Sequence, residues 1–424
     1  MKKMDYQNVR GTQDFLPEQE VVRRKIRRTL EDTFILYGCK PLETPILNYT
    51  ELMASKYAGG AEILQEMYTL TDRGERDLAL RYDLTIPFAK VVAMNPHLAM
   101  PFKRYEIGKV FRDGPIKAGR FREFTQCDVD IVGVQSQIAE AELMMMAVDA
   151  FEKLDVSIQI QYNNRKLLYG LLQVFEVPAQ VMNRVILILD KMEKVDRATL
   201  LKELTELALT TDSLTKIEQF LNAEPTLTYF ESYRTDNDFV AQGMTEVQEL
   251  MGYLQALQIG QCCIFNPFLA RGLEIYTGTI YELFLADGAI KSSIGSGGRY
   301  DNAIGGLLGT DESLATVGIS FGLDVIYTAF ELANKIEQKP REIDVYIIPI
   351  NTERQALQLA TALRKLGNRV DVELSGKKLR KAMDKANREN VGKVIVLGEN
   401  EIIANRVAIK DMESGIVEEM NFIF

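Results

Sequence analysis

The sequence predicts a larger α+β domain on a mostly antiparallel sheet with flanking helices, interrupted by a helical insert, and a smaller C-terminal α/β domain. Three observations carry this. Short apolar or alternating runs fill about 41–133 and return over 261–300. Between them, much of 165–257 has helical periodicity with Leu, Met and Glu dominant. Beyond NKIEQKPRE (334–342), a polar stretch with Pro340, strand patterns alternate with helix patterns, the signature of a mainly parallel α/β sheet. The expected boundaries are therefore 1–333 and 341–424, with the insert at about 165–257.

The elements follow in chain order. Val22, Ile26, Leu30 and Phe34 recur every fourth residue, so 17–37 reads as an amphipathic helix, with Pro17 in its first turn and Gly38 as its stop. The runs LALRYDL, KRYEIGKVF and QCDVDIVG are bounded by charged or Gly/Pro turns and read as strands. AEAELMMMAVDAFEKL (139–154) returns to helical spacing, and its methionines read as packing residues of a core or an interface. RGLEIYTGTIYE (271–282) alternates, which predicts a strand opened by Arg271. A helix is expected from about 322 toward Leu332. In the tail, IDVYIIPI, RVDVEL, KVIVLG and RVAIKDM read as strands; TERQALQLATALRKLG, closed by Gly367, and KKLRKAMDKANREN read as helices.

The composition is that of an ordinary globular protein, 46% hydrophobic and 26% charged over 424 residues. No run of about 18 uncharged apolar residues occurs, and MKKMDYQNVRGTQDFLPEQE lacks an apolar core of the signal-peptide kind; a cytoplasmic chain without a membrane span is expected. Cys39, Cys127, Cys262 and Cys263 show no metal-ligand spacing, so they read as inert thiols in a reducing compartment. No metal is assigned to protein side chains. The net charge of −10 is unevenly spread: 341–424 holds 14 Lys/Arg against 13 Asp/Glu. Nucleic-acid binding is therefore excluded for an evenly charged chain but not for this tail.

Charge is densest in FKRYEIGKVFRDGPIKAGRFREFTQCDVDIVG (102–133), where 102–122 has seven Lys/Arg opposed by Glu106 and Asp113. Two strands joined by a basic loop suit polyphosphate, because guanidinium forks match phosphate oxygens; the same pattern also describes a solvated basic hairpin. On the returning strand Arg120, Arg122, Phe124, Gln126, Asp128 and Asp130 share one face, a plausible floor for a cleft that takes phosphate and a cationic or polar small molecule. RYDLT (81–85) adds Asp83 and Thr85 at the same alternate spacing. GSGGRYDNAIGGLLG (295–309) has six glycines but fits neither common phosphate-loop pattern; glycines beside a strand let a ligand or another backbone approach. In 377–388, six basic residues face one acid, with Leu379, Met383 and Ala386 as a candidate buried stripe.

FRDGPIKAGRFREF resembles motif 2 of class II aminoacyl-tRNA synthetases, and with RYDLT, QCDVDIVG, RGLEIYTG and GSGGRYD the chain resembles the histidyl-tRNA synthetases from RGTQDFLP at residue 10 to KDMESG. The resemblance implies a class II catalytic domain, a C-terminal anticodon-binding domain, and activation of L-histidine by ATP with Mg2+ before transfer to tRNA(His). Carried over residue by residue, it gives Arg112 and Arg271 the α-phosphate as catalytic groups. Arg120, Phe124 and Gln126 join them around ATP, with adenine on Phe124. Histidine falls to Asp83, Thr85 and Gln126 at the α-ammonium, Asp130 and Tyr276 at the imidazole, and Arg112 and Arg271 at the carboxylate. Lys377, Lys378, Arg380 and Lys381 would meet tRNA. A homodimer is implied, with TPILNYTEL (44–52) matching the interface motif.

Two positions depart from the pattern. GISFGLDVI (318–326) keeps Gly318, Gly322 and Asp324 but has Val325 where the family has an arginine on ATP, and Ile275 replaces the first aromatic of the RGL-x-YY pattern. These departures raise the alternative of a non-catalytic regulatory paralogue that binds histidine within ATP phosphoribosyltransferase; an intact motif 2 and the C-terminal domain favour the synthetase.

Overall fold

The computed structural model describes residues 6–55, 61–116, 119–192, 195–223, 226–271, 275–310, 313–333 and 341–423. It divides into two compact units, Met1–Phe15 with Val22–Ala333, and Leu16–Val21 with Asn334–Phe424. The expected linker at 334–340 lies outside the described residues.

In the larger unit an eight-stranded sheet runs in the spatial order Lys40–Pro41, Phe102–Phe111, Glu123–Val132, Thr316–Gly322, Gly295–Arg299, Thr279–Leu285, Ile158–Asn164 and Cys263–Phe265. Its central pairings are antiparallel and the two edge pairings are parallel. Strand alternation gives this sheet two different faces. Tyr105, Val129, Ile319 and Tyr281 fall on one, with Gly297 in register between the last two. That face is apolar and is covered by the Pro17–Leu36 helix, whose Ile26, Leu30 and Phe34 are fully buried. Phe34 stacks on Phe321 with 6.0 Å between ring centroids, and Phe151 of the Ile138–Lys153 helix meets the same ring edge-on at 5.7 Å. Arg23, one position from the predicted apolar stripe, is also buried; it pairs with Asp324 at 2.5 Å.

Six helices, Arg165–Val174, Ala179–Leu189, Arg197–Thr205, Thr211–Asn222, Leu227–Glu231 and Asp238–Ala256, lie between the Ile158–Asn164 and Cys263–Phe265 strands. Several start on side-chain caps, with Asn164, Asp196, Thr210 and Asn237 accepting backbone N–H groups of the first turn. None of the described helices is long and apolar enough to cross a membrane.

Two local expectations change. RYDLT is not a strand: the strand ends at Leu80, and Asp83 accepts the N–H groups of Thr85 and Ile86 to start the Thr85–Met94 helix. A carboxylate that offers the backbone local hydrogen bonds competes with a ladder, which is why alternation misled there. Likewise, the strand predicted from Arg271 begins only at Thr279. Arg271 has φ +47, incompatible with an extended strand, and 272–274 lie outside the described residues.

The smaller unit has five strands in the order Val370–Val372, Val345–Pro349, Lys393–Leu397, Arg406–Asp411, Val417–Asn421. Two pairings are parallel and two antiparallel, so the sheet is mixed rather than mainly parallel. Val345 and Ile347 pack on Ala356, Leu359 and Ala360 of the Glu353–Lys365 helix, while Tyr346 and Ile348 pack on Ala382 and Ala386 of the Leu379–Arg388 helix. Burial on both faces explains the continuous apolar run VYII. Leu379, expected in the buried stripe, is 43% exposed, and Ala382 takes its place.

Gly297 shows how tightly the central strands are packed. A Cβ there would lie 2.1 Å from the Gly318 carbonyl oxygen and 2.7 Å from the Tyr281 ring. Gly297→Ala is expected to destabilise the larger unit by about 1–3 kcal/mol, measured as a lower midpoint in urea; an unchanged midpoint would show that the sheet absorbs a methyl group here.

Candidate functional site

The other face of the sheet is polar. In register across five strands lie Glu282, Ser296, Ser320, Asp128 and Glu106, and beside them Gly298, Gly318, Asp130 and Arg104. Gly318 leaves room for a carboxylate, since a Cβ there would meet Asp130 Oδ1 at 1.9 Å. A floor of glycines flanked by acids and hydroxyls is open to a ligand from above.

The acidic groups are held in different ways. Asp130 is buried, receives the Tyr300 hydroxyl on Oδ1, and pairs through Oδ2 with Arg104 Nη2 at 2.6 Å. Arg104 is itself fully buried, 4.3 Å over the Phe88 ring, and donates to the Leu84 carbonyl at 3.1 Å. Asp128 is 3% exposed, and its Oδ1 has no hydrogen-bond partner among the described residues; neither has the buried Oε1 of Gln126, whose Nε2 donates to Ser320 Oγ at 2.9 Å. Burial, partly offset by Arg104 and reinforced by the Asp130 charge, pushes Asp128 up to about 8. Burial also raises Asp130 and Asp83, with Arg104 pulling the first back and the helix-start N–H groups and Arg112 the second. Tyr276 lies over Gly298, whose Cβ would come within 2.9 Å of its ring. Burial raises its phenol; the charges of Arg271, Glu282, Asp128 and Asp130 all act on it.

Of the seven cations in 102–122, Lys103, Arg104, Lys109 and Arg122 are ion-paired, with Glu142, Asp130, Glu123 and Asp113. Lys117 lies outside the described residues. Among the described residues Arg112 has no carboxylate partner: its Nε donates to the Tyr82 carbonyl at 3.1 Å, and its guanidinium carbon sits 4.2 Å from the Tyr82 ring centroid and 5.0 Å from that of Phe124. A cation steadied by a carbonyl and two rings keeps donors for an incoming anion. Arg120 is exposed and joins none of these contacts. Arg271 comes from the loop before the Thr279–Leu285 strand rather than from a strand edge; its Nη1 is bonded to the Glu282 carboxylate.

The structure thus gathers Asp83, Arg112, Phe124, Gln126, Asp130, Arg271 and Tyr276 around one polar face, with Thr85 opening the adjoining helix. Val325 packs against the backbone of the 112–122 connection: a Cβ on Gly119 would lie 3.3 Å from Val325 Cα. Lys377, Lys378, Arg380 and Lys381 are all exposed in the smaller unit, at the start of the Leu379–Arg388 helix. Sequence reading gave no role to Arg104, Tyr300 or Glu282. Arg104 faces Asp130 and Glu282 shares the Asp128 row only once the register is known, and Tyr300 lies just past the Gly295–Arg299 strand, so no local pattern marked them.

Asp128 sets a pH dependence. Its folded pKa lies above the unfolded value of about 4, so the unfolded chain loses the proton first, and stability falls as pH rises from about 4 to about 8. Asp128→Asn has no proton to lose; relative to wild type its Tm is expected to rise between about pH 5 and pH 8. A Tm difference that stays constant over this range would place the Asp128 pKa near its ordinary value.

A family model described as histidyl-tRNA synthetase matches residues 11–326, and one described as an anticodon binding domain matches 344–423. The chain is 58% identical to histidine–tRNA ligase 2 of Shouchella clausii, with all of both chains covered, and 55% identical to histidine–tRNA ligase 1 of Bacillus anthracis over 97% of each. A crystal structure of histidyl-tRNA synthetase from a Nostoc species superposes with a TM-score of 0.85 at 26% identity, covering 99% of this chain and 97% of that one. The fold, the order of the motifs and the full-length likeness agree: the chain belongs to the histidyl-tRNA synthetase family.

Proposed function

We propose that this chain is a histidine–tRNA ligase that joins L-histidine to ATP as histidyl-adenylate, releases pyrophosphate, and passes the histidyl group to the 3′ end of tRNA(His). The observation that carries the reading is the convergence of two guanidiniums, Arg112 and Arg271, on a polar face that offers buried acceptors at Gln126, Asp128 and Asp130. Anionic groups of the substrates suit the first pair, and the cationic and N–H groups of histidine suit the acceptors.

The assignments follow the chemistry. The histidine carboxylate oxygen attacks the α-phosphorus and the bond to pyrophosphate breaks. Arg112 and Arg271 hold the two anions together and stabilise the charge that develops between them. Phe124, beside the Arg112 guanidinium, offers adenine a stacking surface, and Arg120 would reach the outer phosphates. Gln126 is shared between ATP and the amino acid. Asp83 and Thr85 meet the α-ammonium; Asp130, oriented by Tyr300 and Arg104, and Tyr276 meet the two imidazole nitrogens. Mg2+ would accompany ATP as part of that substrate, neutralising phosphate charge. Residues 1–333 form the catalytic domain with the 165–257 insert, and 341–424 bind the anticodon through Lys377, Lys378, Arg380 and Lys381. A homodimer joined through 44–52 is part of the reading; Ile46, Leu47 and Tyr49 there are 43–57% exposed, an apolar set suited to a second copy. The site of action is the cytoplasm. A regulatory paralogue would need neither the Arg112 arrangement nor an anticodon-binding unit.

Histidine-dependent ATP/pyrophosphate exchange tests the chemistry. Arg112→Ala and Arg271→Ala are each expected to lower it on the order of 10²–10³-fold, while Asp130→Asn and Tyr276→Phe raise the histidine KM far more than the ATP KM. Wild-type exchange in either arginine variant, or equal KM changes in the other two, would sink the assignments. For the tail, charge reversal by Lys378→Glu with Lys381→Glu is expected to raise the tRNA KM and flatten its salt dependence by about two units of slope; an unchanged slope removes these lysines from the tRNA contact.

A further inference from the structure

Arg271 occupies a backbone conformation that its own side chain disfavours. With φ +47 it lies in the left-handed region, where residues other than Gly, Asn and Asp are uncommon. The contact that holds it there comes from the helical insert. Asp190, the residue closing the Ala179–Leu189 helix, accepts two backbone N–H groups on one oxygen: Ala270 N and Arg271 N, each 3.1 Å from Oδ1. A carboxylate that binds two successive N–H groups fixes the peptide between them, and its charge strengthens both bonds. The guanidinium of the same residue is fixed from the opposite side by Glu282 on the sheet. Arg271 is thus clamped at both ends, its backbone by the insert and its head group by the sheet, and the neighbouring Lys191 pairs with Glu203 of the next insert helix at 2.7 Å.

We infer that Asp190 is a positioning residue for Arg271, so that the helical insert takes part in adenylate formation by setting where this guanidinium stands. The inference rests on the α-phosphate role proposed above for Arg271. Without Asp190 the 270–271 peptide is free to leave the left-handed conformation. The guanidinium then keeps its bond to Glu282 only by shifting its stem, and misplacement of a charge-stabilising group by about 1 Å can cost on the order of 100-fold in rate. Histidine recognition at Asp130 and Tyr276 does not pass through this clamp.

The test uses the full-length chain and four variants: Asp190→Ala, Asp190→Asn, Arg271→Ala, and Asp190→Ala with Arg271→Ala. Exchange kinetics and Tm are measured for each. Asp190→Ala is expected to lower kcat by about 10- to 100-fold, with a smaller rise in the histidine KM, because Arg271 also meets the histidine carboxylate. Asp190→Asn, which keeps a neutral acceptor oxygen, should recover most of the loss at a Tm close to that of Asp190→Ala. In the Arg271→Ala background, Asp190→Ala should cause no further loss, because the group it positions is gone. Wild-type kcat in Asp190→Ala overturns the inference. So does a loss that multiplies with that of Arg271→Ala, or one that Asn fails to rescue and that tracks Tm; these would mark a purely structural residue. If Arg271→Ala itself exchanges at the wild-type rate, the proposed role of Arg271 falls instead, which separates the two failures.

Discussion

The pairing register of the central antiparallel strands is the constraint on which the molecule depends. Glu106 opposite Asp128, Asp128 opposite Ser320, and Ser320 opposite Ser296 place one row of polar groups on one face. The same register puts Tyr105, Val129 and Ile319 against the helices on the other. A slip of one residue between any two of these strands would exchange the faces, turning the aromatic core outward and parting buried carboxylates such as Asp130 and Glu106 from Arg104 and Arg81. The large energetic penalty for burying unpaired charge and the apolar area under the sheet therefore enforce the same arrangement. The site is a by-product of the pairing that makes the core.

The cost of the site is visible in its unsatisfied groups. Among the described residues, Asp128 Oδ1, Gln126 Oε1 and two nitrogens of Arg104 are buried without hydrogen-bond partners, whereas buried polar atoms are normally paired. Nearby, Glu106 is fully engaged, accepting Arg81, Thr44 N and the Thr44 hydroxyl. The contrast separates two kinds of buried polar group within a few residues. Glu106 and Arg81 tie the sheet to the preceding chain, while Asp128 Oδ1 and Gln126 Oε1 meet no partner among the described residues.

The smaller unit carries a parallel tension. Lys378, Arg380 and Lys381 stand at the N-terminal end of the Leu379–Arg388 helix, where cations oppose the helix dipole by roughly 0.3–1 kcal/mol each. Lys385, a turn later, is neutralised by Asp371 at 2.9 Å, but the exposed cations at the helix start gain nothing for the fold from their placement. An anionic partner relieves that repulsion, and nucleic-acid phosphate has the right charge.

Much of this was legible in the sequence because it depends on local periodicity. Ile26, Leu30 and Phe34 at four-residue spacing, the alternation through QCDVDIVG, and the strand–helix succession after 341 each report a face that neighbours along the chain must share. The ordered motifs likewise placed Arg112, Gln126, Asp130 and Tyr276 without reference to folding. What the sequence could not determine were the partners that meet from distant segments. Arg104 clasping Asp130, Tyr300 on the same carboxylate, Glu282 holding Arg271, and Asp190 reaching Arg271 across 81 positions leave no periodic trace. The two misread strands have the same origin. Asp83 starts a helix through its own side chain, and Arg271 turns left-handed under an external carboxylate. Alternation records which side chains could face one another; only the tertiary structure decided which hydrogen bonds the backbone took.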